Sequence, residues 1–536
     1  MAGENNNNDN DNDNDNNGEG DSMIISGERQ IGYAEMHERI ALSARGLAAL
    51  GFEPGAQVAL MMRNDFEFFE IAGAASAIGS PIVPINWHLK SAEVAYILGD
   101  SGAAVLVCHA DLLPTTTEAL GGDAADVKLF VVPTPPEIAA AFDIPEVLTQ
   151  VPPGCTDWRV CRESGAAGSA APQAPRSAMP MFYTSGTTGR PKGVRRRPML
   201  PEQQARADRA SATAYGIQAD AGQVVLLNGP LYHSAPNSYG MLAFRRGCTI
   251  VLHARFDALE TLQLIARHRV TNMHMVPTMF VRLLRLPDAD KHAHDLSSLR
   301  FVVHGAAPCA AHIKRAMIDW WGLVINEYFG STETGIPIWH SAAEALAKPG
   351  TVGRLIEGGR VAVVRPDGTA CHADEPGEIF MRQTALPDFD YQSNPAARLE
   401  ADHAGLVSVG DVGYLDADGY LFLCDRKRDM VISGGVNIYP AEIEGVLFGL
   451  AGVRDCAVFG LPDDEFGEKL CACIELEPGA VLDAAGVRSF LRQQLANFKV
   501  PQRIEFCETL PREASGKIFK RKLREQLLAE GAARLV

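Results

Sequence analysis

From Ile31 onward, stretches with apolar residues at helical spacing alternate with short continuous apolar runs, a rhythm that predicts layered α/β structure. Residues 58–62, 104–108, 128–132, 224–228, 249–253 and 301–304 read as strands. Residues 154–180, rich in Ala, Ser, Gly and Pro, read as a surface loop. Past Thr351 the texture turns to hairpins: 361–364 runs into Pro366-Asp367-Gly368, and Tyr414-Leu415 into Asp416-Ala417-Asp418-Gly419 ahead of 420–423. A last unit, from about Asp425, mixes strands at 455–459 and 470–476 with helices at 441–448, 484–497 and 518–530. The pattern divides the chain into a large unit, 23–427, and a small one, 428–536, with the boundary at Arg428. Two uncharged runs, 71–89 and 221–244, approach membrane-spanning length, but Pro81, Pro84, Pro230 and Pro236 interrupt them, so both are expected as buried segments and not as transmembrane spans.

Composition changes this picture mainly at the start of the chain. The 536 residues carry a formal net charge of −17, and seven of the acids lie in the first 22 residues, which hold no base. Such an excess of acid offers nothing to nucleic acid. Residues 5–17 are only Asn and Asp, with no apolar surface to offset the entropy of ordering, so 1–22 is expected as a disordered tail. The start lacks the basic and apolar regions of a signal peptide, and the eleven cysteines are scattered apart from Cys471 and Cys473. A cytoplasmic, reducing setting fits both features. Cys471 and Cys473 alternate within a predicted strand and are expected in the core, since no further ligands accompany them for a metal.

The densest chemistry is Tyr183-Thr184-Ser185-Gly186-Thr187-Thr188-Gly189-Arg190-Pro191-Lys192-Gly193. Its three glycines free the backbone to turn N–H groups inward, while four aliphatic hydroxyls and the Lys192 ammonium crowd a short span, which suits a polyphosphate. It is not a Walker A loop, because a glycine follows Lys192 and the spacing differs. The runs ending at Tyr183, His304 and Glu327 each lead into a Gly-rich or polar loop, and open α/β sheets bind ligands outside the carboxyl ends of their strands, so three loops are expected to converge on one nucleotide. The basic run Arg195-Arg196-Arg197 and the pair His292 and His294 read most simply as solvated surface, with contact to the phosphates of a ligand as the alternative for the arginines.

That loop resembles the phosphate loop of the adenylate-forming superfamily, which holds acyl-CoA synthetases, adenylation domains and beetle luciferases. Further segments are similar to the family's motifs in order: Leu231-Tyr232-His233-Ser234, His304-Gly305-Ala306-Ala307-Pro308, and Glu327-Tyr328-Phe329-Gly330-Ser331-Thr332-Glu333-Thr334. Beyond them come Gly410-Asp411, Asp425-Arg426-Lys427-Arg428-Asp429, Ser433-Gly434-Gly435-Val436-Asn437-Ile438-Tyr439-Pro440 and Pro511-Arg512-Glu513-Ala514-Ser515-Gly516-Lys517. The resemblance implies a large domain of layered α/β sheets with a distorted β-barrel part over about 351–424, and a small mobile α+β domain. It assigns ATP to Thr184, Ser185, Gly186, Thr187, Thr188, Gly189, Lys192, Gly305, Ala306, Ala307, Pro308, Tyr328, Phe329, Gly330 and Ser331, with Phe329 stacked on adenine and Thr332 on phosphate. Glu333 with Thr184 would hold magnesium, a hard cation that prefers oxygen and binds phosphates as well. Asp411, with Arg426 beside it, would accept the ribose hydroxyls. Lys517 would neutralise charge in the transition state at the carboxylate and α-phosphate. Gly434 and Gly435 would line the thiol tunnel for coenzyme A, with Arg428 as the hinge. Tyr232, His233, Asn237, Gly305, Gly330 and Thr334 would bound the acid, His233 as a gate.

The implied activity is that of an AMP-forming acid-thiol ligase, which forms an acyl-adenylate from a small carboxylic acid and ATP and then transfers the acyl group to the thiol of coenzyme A. The candidate pocket segments hold no arginine or lysine, so a hydrophobic acid is expected. The resemblance of residues 229–287 to bacterial ligases of fatty or bile acids puts a fatty acid slightly ahead of an aryl, hydroxycinnamate or sterol side-chain acid. Loading of a carrier protein is the alternative, although only nineteen residues follow Lys517 and no carrier domain is fused there. Intact Lys517, Glu333 and Lys192 oppose a noncatalytic nucleotide sensor, and the absence of G-x-S-x-G opposes a serine esterase. Monomer and homodimer both stay open.

Overall fold

The computed structural model describes residues 22–53, 55–121, 126–166, 177–184, 191–218, 222–427, 429–433, 436–463, 466–512 and 518–533. Residues 1–21 of the expected tail, Ser185, Gly186, Thr187, Thr188, Gly189, the hinge Arg428, Gly434, Gly435 and Lys517 lie outside the described residues, as does the Arg426 side chain.

The centre of the fold is a run of parallel strands in the order Ile325–Ser331, Phe301–His304, Asn272–Met275, Val224–Leu227, Thr249–Leu252 and Met23–Ser26. Val225 and Leu227 face one core and Leu226 the other, so the strand is buried on both sides and its sequence is apolar throughout. One of those cores also holds Phe68, Phe69, Val58, Leu60 and Val107. It joins the main sheet to a second parallel sheet, ordered Ile82–Pro84, Gln57–Met61, Ala103–His109 and Lys128–Val132, with the Phe66–Ala77 and Ser234–Arg245 helices contributing side chains between. The Phe66–Ala77 helix starts at Asp65, whose carboxylate accepts from Phe66 N at 2.8 Å. The 71–89 run thus resolves into a buried helix and a short strand, and among the described residues no helix is long and apolar enough to cross a membrane.

The hairpin region is hydrogen-bonded into the main sheet, not set apart from it. Ile325–Ser331 turns back antiparallel onto Gly335–His340, which pairs with Thr351–Leu355, which in turn pairs with Leu421–Arg426. Within the described part of the 154–180 stretch, the chain forms a helix where a loop was expected. Trp158–Ser164 is a helix capped by Asp157, and the buried Trp158 donates from Nε1 to Glu70 at 2.7 Å. An average over a Gly/Ala/Ser-rich window hides one capped turn that buries Trp158 and Cys161.

After Arg426 a new sheet begins, with Val431–Ser433, Val436–Ile438, Val453–Asp463, Gly467–Leu476 and Arg503–Cys507. Pro440–Leu447 and Ala484–Gln494 cover one face and Lys520–Ala533 the other. Cys471 and Cys473 are buried on the second face, in the core as expected.

Candidate active site

The strand Phe301–His304 ends opposite Glu327 and its parallel neighbour Ile325–Ser331 runs on past it, so the Gly305–Pro308 loop and the 330–334 turn both lie at the carboxyl end of the sheet. A Cβ on Gly305 would lie 2.5 Å from the Tyr328 ring, so this loop rests directly on that residue; Ala306 takes a positive φ of 67°. A Cβ on Gly330 would come within 2.0 Å of the Gly335 carbonyl oxygen, which makes glycine obligatory where the strand folds back. Inside the turn, Ser331 N donates to Thr334 Oγ1 at 3.0 Å and Thr334 N to Ser331 Oγ at 3.1 Å. This closed ring of bonds fixes the orientation of Thr332 and Glu333 between them.

Thr184 arrives by a different route from the one its sequence suggests. The Phe182–Thr184 strand is not part of the open parallel sheet; it belongs to a three-stranded antiparallel ribbon with Lys192–Arg196 and Phe389–Tyr391. The ribbon still delivers it, and Thr184 Oγ1 donates to Glu333 Oε1 at 3.1 Å. Tyr391 OH donates to the same oxygen at 3.2 Å, and the Lys192 ammonium sits 5.1 Å from the Tyr391 ring centre. Glu333 is only 8% exposed, and among the described residues no lysine, arginine or histidine pairs with its carboxylate. A buried carboxylate whose direct partners are hydroxyls, with the Arg196 guanidinium acting on it only through space, suits a hard cation that prefers oxygen.

Two further groups complete the edge. Asp411 is 8% exposed and stands opposite Arg426 in the register of two paired strands, so the acid and the base predicted to meet the ribose are neighbours. Ser234 Oγ lies 2.8 Å from Thr332 Oγ1, tying the start of the Ser234–Arg245 helix to the 330–334 turn. His233 is the residue ahead of that helix, half-buried, with its ring 4.4 Å from that of the buried Tyr232. Asn237 is 1% exposed and its amide donates to the Leu231 carbonyl at 2.9 Å, so it holds the preceding turn in place. Behind Gly305, the rings of Tyr215, Tyr239, His274 and Tyr328 interlock with centres 5.4 to 6.2 Å apart, and His274 Nε2 lies 2.8 Å from Tyr328 OH.

The chain matches the AMP-binding enzyme family over residues 12–386 and the C-terminal domain of AMP-binding enzymes over 442–517. It belongs to the AMP-binding enzymes. Within this family it is 34% identical to a feruloyl-CoA synthase of an Amycolatopsis species, over 93% of this chain and 94% of that one. It is 32% identical to a long-chain-fatty-acid–CoA ligase of Mycobacterium tuberculosis, over 94% of each. Among solved structures, ATP-bound MatB from Rhodopseudomonas palustris superposes with a TM-score of 0.80 at 26% identity, covering 94% of this chain and 95% of that one. The adenylate-forming fold expected from the motifs is therefore the fold of this AMP-binding enzyme.

One expectation for the basic run fails. Arg195 and Arg197 are exposed, but Arg196 turns inward and donates from Nη2 to the carbonyl oxygens of Thr332, at 2.8 Å, and Glu333, at 2.7 Å. The signal was present: in a strand of period two, Arg196 shares a face with the buried Val194. Tyr391 had no comparable signal, because only the pairing of distant strands brings it to Glu333.

Proposed function

We propose that this AMP-binding enzyme activates a hydrophobic carboxylic acid with ATP and passes the acyl group to the thiol of coenzyme A. The observation that carries the reading is Glu333, a buried carboxylate bonded by Thr184 and Tyr391 and lacking an ion-pair partner among the described residues. The ligase relatives support coenzyme A as acceptor. A free carboxylate is a poor acyl donor because its leaving group is oxide. Attack of a carboxylate oxygen on the α-phosphorus of ATP forms a new P–O bond, breaks the bond to pyrophosphate and yields a mixed anhydride with AMP. The coenzyme A sulfur then attacks the acyl carbon and AMP departs.

Each group on the edge has a task in this scheme. Thr184 and Thr332 offer hydroxyls to the phosphates, Phe329 flanks the adenine, and Asp411 accepts from the ribose. Lys517 neutralises the charge that builds between carboxylate and α-phosphate. Glu333 and Thr184 would hold magnesium, which when bound offsets phosphate charge. Arg428 would act as the hinge that exchanges Lys517 for the thiol tunnel at Gly434 and Gly435. Tyr232, His233 and Thr334 border the acid. The packed rings of Tyr215, Tyr239, His274 and Tyr328 fill the space behind Gly305, which favours a compact, ring-bearing acid over the fatty acid that sequence alone put slightly ahead.

The test is a panel of hydroxycinnamic, benzoic, medium-chain and long-chain acids read by CoA-dependent AMP formation, with Lys517→Ala alongside. Ring-bearing acids should lead. Lys517→Ala should lower adenylation by about 10²- to 10³-fold, the usual scale for losing one transition-state charge contact, yet still pass a supplied acyl-adenylate to coenzyme A. Loss of both half-reactions alike would remove Lys517 from the first step.

A further inference from the structure

Glu333 is held by two residues that the reaction scheme leaves idle, both carried on the ribbon beside it. The strands Lys192–Arg196 and Phe389–Tyr391 pair antiparallel, with Arg196 opposite Phe389 and Val194 opposite Tyr391. From this platform Arg196 reaches the backbone and Tyr391 the side chain. The two carbonyls that Arg196 grips, those of Thr332 and Glu333, belong to the peptide units on either side of the Glu333 Cα. A planar guanidinium that bonds both at once fixes the backbone torsions between them, which a point-charge ammonium does not. Its other terminal nitrogen donates to the Pro387 carbonyl, anchoring the grip to the segment that leads into Phe389–Tyr391. Tyr391, 8% exposed, then donates to Glu333 Oε1 beside Thr184, so the carboxylate plane is set as well.

Resting on the assignment of Glu333 as the magnesium carboxylate, we propose that Arg196 and Tyr391 are positioning residues that aim this carboxylate at the metal before it binds. A carboxylate already locked in backbone and side chain loses little freedom when a cation arrives, and groups bonded to a metal ligand commonly change metal affinity by about 10- to 100-fold. Neither residue touches the nucleotide in this scheme, so the expected defect is confined to the coupling between metal and nucleotide.

The experiment uses the full chain and α,β-methylene-ATP, whose binding is measured by calorimetry with excess Mg²⁺ and again with EDTA. The ratio of the two affinities is the gain due to the metal. In Tyr391→Phe and Arg196→Lys this gain should shrink by about tenfold, with affinity in EDTA within about twofold of the parent. Glu333→Gln should lose the gain as well. If Glu333→Gln loses it while the other two keep it, the positioning role is wrong and the metal assignment stands. If Glu333→Gln keeps it, the metal assignment itself fails. Equal loss in EDTA and in Mg²⁺ for Tyr391→Phe would reduce the role to general packing and overturn the proposal. Should Arg196→Lys not fold, Tyr391→Phe decides, because it removes one oxygen and leaves the ring packed 5.2 Å from Phe389.

Discussion

Glu327 and Glu333 lie at the start and the end of one strand and turn, both are buried, and they are neutralised in opposite ways. Glu327 has its cation built in: the Lys314 ammonium from the Ala311–Trp321 helix pairs with it, and His340 Nε2 lies 2.8 Å from the same oxygen. Burial would raise the Glu327 carboxyl, but the Lys314 ammonium and the hydrogen bond with His340 outweigh it and hold it down at about 2. His304 stands beside it in register, and burial pulls its imidazole down to about 3, so it stays neutral. The Glu333 carboxylate accepts from two hydroxyls and, among the described residues, forms no ion pair. The first carboxylate is thus ion-paired within the protein, and the second meets hydroxyls. Among the described residues, what separates the two carboxylates is therefore the direct ion pair, not burial.

Removing the built-in cation should have the largest effect. Lys314→Met leaves Glu327 charged and buried without its partner, which costs about 3 to 5 kcal/mol of stability. Calorimetric unfolding should show a markedly lower transition, and the added change Glu327→Met should recover much of the loss. Next comes Glu333→Gln, expected to cut acid-dependent ATP–pyrophosphate exchange by about 10²-fold, comparable with losing one preorganised charge contact. Its unfolding transition should stay near that of the parent, because no ion pair is broken. A pattern in which Glu333→Gln unfolds the protein and Lys314→Met does not would reverse the comparison.

Acid should sharpen it further. The folded-state carboxyl of Glu327, at about 2, lies below its ordinary value of 4.5, so its contribution to stability is complete above about 4.5 and is lost as pH falls toward 2. An unfolding series over that window should slope downward in the parent, and the slope should flatten in the Lys314→Met, Glu327→Met double variant. The smallest effect is expected from Ser234→Ala, which deletes the bond to Thr332 and should lower kcat/KM for ATP by about fivefold, the worth of roughly 1 kcal/mol.

How much of this was readable beforehand follows from how local each feature is. The strands Lys128–Val132 and Phe301–His304 coincide with their apolar runs, since strands buried on both faces show as uninterrupted apolar sequence. Gly330, Thr332 and Glu333 were expected together because their motif is contiguous, and the 330–334 turn holds them side by side. The Trp158–Ser164 helix was masked by a composition that averages to loop, and Arg196 by a basic triplet that reads as solvated. Tyr391 and the Lys314–Glu327–His340 cluster were out of reach, because pairing between distant strands brings in the first, and hairpin register with helix-on-sheet packing assembles the second. The antiparallel ribbon that carries Thr184 is a similar case: a strand of three residues gives no pattern from which its partner can be inferred.

The most direct test of the whole account is acid-dependent ATP–pyrophosphate exchange measured across a magnesium titration, for the parent chain and for Glu333→Gln. Exchange that needs both acid and magnesium, and a Glu333→Gln curve that is lower and shifted to higher magnesium, is the predicted result. Superimposable curves for the two proteins, or exchange that proceeds without an added acid, would contradict it.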